Sequence, residues 1–265
     1  MMTLQQAALV LVGHGSLRSG NARTSTCRVA DEIEQRRLFA EVHTCFWKET
    51  PYIRDVLGLV RVREVFVVPN FAGEGIFTET VIPRELGIRG LGTQSIGAHR
   101  ITYTPPVGAH SRVATLVRRR ADSVIAGEGL DPATVCLLLV GHGSSRPGGS
   151  GKTAEALALL LRRDGGFGEV RTAYLEQEPA VTAWATLTWR RRIIVVPLLM
   201  AEGMHGSEDL PPLFGLSPAS LASNDIPATH CAGRAVWYCR GIGSYPDIAD
   251  IVLDLITGMS PPPSN

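Results

Sequence analysis

Leu9-Val10-Leu11-Val12-Gly13-His14-Gly15-Ser16 returns later in the chain as Leu137-Leu138-Leu139-Val140-Gly141-His142-Gly143-Ser144. Working outward, Val65-Phe66-Val67-Val68-Pro69, followed by Glu74-Gly75 and Ile82-Pro83, returns as Ile193-Ile194-Val195-Val196-Pro197, followed by Glu202-Gly203 and Leu210-Pro211. The spacing is constant, since 142 − 14 and 197 − 69 both give 128. Tyr103, Gly108 and the helix-like residues 113–124 then return as Tyr238, Gly243 and 248–256, now offset by 135. The chain is an internal duplication. The extra residues, about seven, fall within the Ser/Pro/Ala-rich stretch 217–233, which reads as a loop.

Short, continuously apolar, β-branched runs suit strands covered on both faces, and helices between them supply the crossovers of a parallel sheet. In the second half the pattern predicts strands at 135–140, 169–175, 192–197 and 234–239 and helices near 152–163, 180–189 and 246–256. The predicted fold is α/β, two doubly wound parallel-sheet lobes spanning 1–126 and 134–258. The linker at 126–133 is marked by Gly127-Glu128-Gly129 and Asp131-Pro132. Such sheets bind ligands beyond the carboxyl ends of their strands, where Gly-His-Gly, Leu-Glu and Pro-x₄-Glu-Gly fall.

At 265 residues and 45% apolar, the chain can bury a substantial core. A net charge of +1, spread along the length, offers no footprint for nucleic acid or an anionic membrane, so neither partner is expected. Residues 1–6 lack a basic leader, and the apolar run 7–12 stops at Gly13-His14, so a cytoplasmic protein is expected. Cys27, Cys45, Cys136, Cys231 and Cys239 are scattered, which suggests neither a disulfide framework nor structural zinc. Cys45 and Cys136, in strand-like runs, read as small buried hydrophobes.

His142 follows a buried strand between two glycines, which let the backbone turn sharply and keep the imidazole uncovered. Glu176 ends the next strand, and His205 follows the third within Glu202-Gly203-Met204-His205-Gly206. Two imidazoles and a carboxylate over one sheet edge are a ligand set for a borderline divalent metal and also proton acceptors. The first half keeps His14, and Glu49 approximates Glu176, but Phe77 stands where the second half has His205. The metal chemistry is therefore expected in the C-terminal half. His14 is either a substrate contact or an inherited turn histidine, and Ser144, Glu202 and Gly203 are candidate substrate contacts. Glu74 and Glu202 face the cleft or are simply solvated. Gly149-Ser150-Gly151-Lys152-Thr153 imitates a P-loop, yet Arg146 occupies the place of its first glycine, so nucleotide binding is not expected. Arg118-Arg119-Arg120 and Arg190-Arg191-Arg192 read as solvated helix ends.

With Val-Gly-His-Gly-Ser, Tyr174-Leu175-Glu176 and the block from Pro197 through Gly203, His205 and Asp209 to Pro211, nearly the whole chain resembles the class II sirohydrochlorin chelatases. These load cobalt for cobalamin or iron for sirohaem. The likeness is to the long, duplicated form, which implies two lobes across a cleft and metal ligands at His142, Glu176 and His205. It implies a divalent metal substrate (cobalt favoured, iron or nickel as alternatives), a small-molecule tetrapyrrole partner, no nucleotide, and a monomer or homodimer. The tetrapyrrole's carboxylates would meet strand-end N–H groups, helix N-termini and Arg146 or Arg84. Some longer relatives carry an iron–sulfur cluster. Cys231 and Cys239 alone do not complete such a ligand set, and no cluster is expected. A carrier that binds tetrapyrrole or metal without turnover is the alternative.

Overall fold

A computed structural model describes residues 4–16, 23–144, 151–201, 208–217, 226 and 228–259. Two five-stranded sheets share one topology. The first has the order β2-β1-β3-β5-β4, built from β1 (Ala7–Gly13), β2 (Glu41–Phe46), β3 (Glu64–Pro69), β4 (Gly92–Ile96) and β5 (His99–Tyr103). The second repeats it as β7-β6-β8-β10-β9, with β6 (Val135–Gly141), β7 (Glu169–Tyr174), β8 (Arg192–Pro197), β9 (Ala228–Cys231) and β10 (Arg234–Tyr238). The central strands pair parallel: Val10 lies opposite His43 and Val67, as Leu138 lies opposite Arg171 and Val195.

The reason lies in β1 and β6. All seven residues of each are buried, so both faces must be covered. Ala8, Val10 and Val12 join one core layer with Ile53, Val56, Ile82 and Tyr103. Cys136, Leu138 and Val140 join its counterpart with Trp184, Phe214 and Tyr238. The alternate residues Leu9 and Leu11 are also fully buried, each contributing about 2 kcal/mol of burial. Helix α1 (Thr24–Gln35) buries Thr26, Val29, Ala30 and Ile33, the 3–4 spacing of a one-sided helix. Ala154, Leu157, Ala158 and Leu161 do the same on α4 (Gly151–Asp164).

The remaining helices are α2 (Ile82–Leu86), α3 (Arg112–Gly127), α5 (Leu210–Leu213) and α6 (Ile248–Met259). The two compact units are not contiguous in sequence. Unit 1 is Met1–His110 with Pro246–Asn265, and unit 2 is Ser111–Tyr245. Helix α6 therefore packs on α1 and β3 of the first sheet, where Arg36 meets Asp250 at 2.6 Å, while α3 packs on α4 and β8 of the second. Each compact unit thus carries the closing helix of the other sequence repeat.

The parallel core of each doubly wound sheet is extended by one antiparallel edge strand: β4 and β9 pair with β5 and β10 through turns at Gly97 and at Ala232-Gly233, whose positive φ angles suit a tight hairpin. Three finer expectations are corrected. Part of 217–233 is thus strand rather than loop. The helix expected over 180–189 is only a 3-10 turn, Val181–Thr186, in a stretch whose β-branched Thr182, Thr186 and Thr188 and bulky Trp184 and Trp189 lower helix propensity. The arginine runs are not helix ends. Arg118 lies within α3 and donates to the Gly165 carbonyl, and Arg190 and Arg192 brace the start of β8 through Gly168 O at 3.1 Å and Thr134 Oγ1 at 3.0 Å. All five cysteines are free, and Cys45, Cys136 and Cys239 are buried.

Gly108 and Gly243, 135 apart, mark the same close approach. An added Cβ would lie 2.1 Å from Ala72 O in one unit and 1.9 Å from Met200 O in the other. Their N–H groups donate to Phe71 O and Leu199 O at 2.9 and 3.0 Å, pinning the loops that leave β3 and β8.

Candidate metal and substrate site

The strand order reverses about β1 and β6: the chain goes from each to a neighbour on one side and returns to the other. Ligands of open α/β sheets sit at the carboxyl edge of such a switch point, and His14 and His142 are the residues that follow these two strands.

In unit 2, Gly143 takes φ +74°, and a Cβ there would lie 2.9 Å from Tyr174 Cβ and Gln177 Cγ. Only glycine turns the chain here without strain. His142 Nδ1 faces Gly143 O at 3.2 Å and Glu176 Oε2 at 3.8 Å. Both of these groups are acceptors, so a ring carrying one proton satisfies them with that proton on Nδ1 and keeps its lone pair on Nε2. The His142 and Glu176 side chains are 40% and 58% exposed, so water and ligands reach both. The Glu176 N–H donates to His142 O at 2.9 Å, locking the two strand ends together. Ser144, half-buried, donates its N–H to Gln177 Oε1 at 3.1 Å.

Unit 1 repeats the frame with other chemistry. His14 Nδ1 faces Gly15 O at 2.9 Å, Gly15 has φ +68°, and the Ser16 N–H meets Glu49 Oε1 at 3.2 Å. Glu49 is therefore the counterpart of Gln177, not of Glu176. The residue whose N–H donates to His14 O, at 3.1 Å, is Lys48. An acid in unit 2 thus corresponds to a base in unit 1. At the position of His205, Phe77 packs edge-on to the His14 ring at 4.9 Å, with Phe71 and Trp47 beside it.

The structure brings His142, Glu176 and Ser144 to one edge. Glu202, Gly203 and His205 lie outside the described residues, as does Arg146, and among the described residues no three His, Cys, Asp or Glu groups gather to hold a metal. Arg84, on α2, is exposed and pairs with Glu85 at 3.1 Å. Glu74 is exposed. Gln177, Lys48, Trp47 and Phe71 were missed from the sequence; the constant offset of 128 aligns Lys48 with Glu176 and Glu49 with Gln177, and was the available signal. No described helix is long and apolar enough to cross a membrane.

The family model CbiX matches residues 8–124 and again 136–258. A probable sirohydrochlorin cobaltochelatase of Halobacterium salinarum is 35% identical over 263 residues, covering 93% of this chain and 89% of that protein. A sirohydrochlorin cobaltochelatase of Methanopyrus kandleri is 31% identical over 137 residues, 46% of this chain but 94% of that protein, the size of one repeat. Among solved structures, a multi-domain Deinococcus radiodurans protein with structural similarity to chelatases superposes with TM-score 0.75 at 31% identity; the match covers 94% of this chain and 54% of that one. The Bacillus subtilis sirohydrochlorin chelatase in complex with cobalt shares the fold, with TM-score 0.67 at 18% identity over 96% and 94% of the two chains. Both repeats match one family model in order, and a full-length relative lies above 30% identity: the chain belongs to the CbiX family.

Proposed function

We propose that this protein is a lyase-class chelatase, acting in the cytoplasm without ATP, that inserts a divalent metal, cobalt in preference to iron or nickel, into sirohydrochlorin. The observation that carries this is His142 at the switch point of unit 2, with Nδ1 turned to Gly143 O, Glu176 at 3.8 Å, and neither Glu176 nor His205 kept in unit 1. Family membership and the Halobacterium relative support the substrate class.

In this reading His142, Glu176 and His205 receive the incoming ion, and Ser144, Glu202, Gly203 and His14 contact the tetrapyrrole. Insertion exchanges two pyrrole N–H protons for one M²⁺. The two protons leave to water, Glu176 or an imidazole being the first acceptor. Neutral imidazoles suit the task because they displace water from the ion without binding it as irreversibly as thiolates would. The test is absorption spectroscopy of sirohydrochlorin with cobalt, iron and nickel in parallel, protein being substoichiometric. Many turnovers per chain, fastest with cobalt, are expected. A spectral change that stops at one equivalent identifies a carrier and overturns the proposal.

A further inference from the structure

We propose that the mouth of unit 1 is a docking platform for the flat face of a carboxylated tetrapyrrole, with Lys48 pairing one of its acidic substituents. The inference rests on the function proposed above and assigns unit 1 a role in it.

Four rings converge at the carboxyl edge of the first sheet. Phe77 meets His14 edge-to-face at 4.9 Å, stacks on Phe71 at 5.9 Å with 21° between planes, and meets Trp47 at 6.2 Å. Trp47 and Phe71 rest on the core below, and all four rings are only half-buried. Ile76, which precedes Phe77 in the chain, is 48% exposed. Core filling does not require these rings. At the matching positions unit 2 has Leu175 and Leu199, and it closes its core with them. Exposed aromatic faces at a ligand-binding edge suit a large conjugated ring, which offset-stacked and edge-on contacts recognise.

Charge narrows the choice of ligand. Lys48 is exposed and replaces the acid of unit 2, while Phe77 replaces the second imidazole. A cation site has thus become one that repels a free metal ion and attracts an anion. Aromatic surface beside one ammonium group matches a conjugated macrocycle carrying carboxylates better than a nucleotide, since Asn21 stands where a P-loop spaced from Gly15 and Gly20 would need its lysine.

The experiment titrates metal-free sirohydrochlorin into the full chain, following absorbance and tryptophan quenching, and repeats the cobalt insertion assay on each variant. Phe77→Ala and Trp47→Ala should each weaken macrocycle binding by about five- to tenfold. The exposed charge reversal Lys48→Glu, which threatens no packing, should weaken it at least as much. KM for cobalt should stay within about twofold of wild type, given that direct metal contact lies elsewhere. Lys48→Glu combined with Phe77→His should weaken macrocycle binding and add a second cobalt per chain in equilibrium dialysis. Wild-type turnover with macrocycle affinity unmoved in all three single variants, each folded by circular dichroism, overturns this inference alone. Wild-type protein that neither binds nor metallates sirohydrochlorin overturns it together with the proposed function.

Discussion

Gln177→Ala removes the brace of the turn that carries His142. The Ser144 N–H then loses its acceptor at 3.1 Å, which costs about 1 kcal/mol, or a fall of about 2–4 °C in Tm. The larger effect is on geometry. Gln177 also packs where Cβ atoms on Gly143 or Gly151 would lie 2.9 and 2.4 Å from it, so its loss opens space beside both glycines. A reacting group misplaced by a fraction of an ångström loses rate steeply, and kcat for metal insertion should fall about tenfold. Gln177→Glu keeps an acceptor oxygen, as Glu49 does for Ser16 at 3.2 Å in unit 1, and should hold kcat within about threefold of wild type. Thermal denaturation and single-turnover kinetics read the two effects separately. Wild-type kcat in Gln177→Ala, or equal loss in both variants, refutes the bracing argument.

Gly243→Ala drives a Cβ to 1.9 Å from Met200 O and should cost about 3 kcal/mol or more in urea denaturation, whereas Gly258→Ala, open to space on α6, should gain about 0.5–1 kcal/mol. Burial pushes the Tyr174 phenol up to about 12, and its donation to Glu155 at 2.9 Å adds to this. The folded state therefore holds this proton more tightly than the unfolded chain, whose phenol titrates near about 10. The stability this provides is complete below that pH and is lost as pH rises toward 12; denaturation midpoints against pH should fall less steeply above 10 in Tyr174→Phe.

The duplicated strand-Gly-His-Gly-Ser block was enough to place both central strands and the histidine that follows each, because a seven-residue apolar run bounded by glycine has few other uses. The edge strands were not legible. Gly92–Ile96 is paired on one side only, and its composition is that of a loop. The exchange of α3 and α6 leaves no local mark either, because their apolar stripes would fit either sheet. At the site, Trp47-Lys48-Glu49 offers an acid one residue beyond the register of Glu176. Which of Lys48 and Glu49 meets the histidine carbonyl is decided by the strand-end hydrogen bonds, which no composition reveals. The aromatic mouth of unit 1 was hidden because each ring alone reads as core.

Cobalt insertion by His142→Ala, His205→Ala and His14→Ala, measured side by side with the wild type, tests the placement of the chemistry in unit 2 most directly. The account predicts that the first two each reduce kcat by about a hundredfold or more, while His14→Ala mainly raises KM for the tetrapyrrole. Near-normal insertion in both His142→Ala and His205→Ala, with activity abolished in His14→Ala, would place the metal in unit 1 and contradict the account.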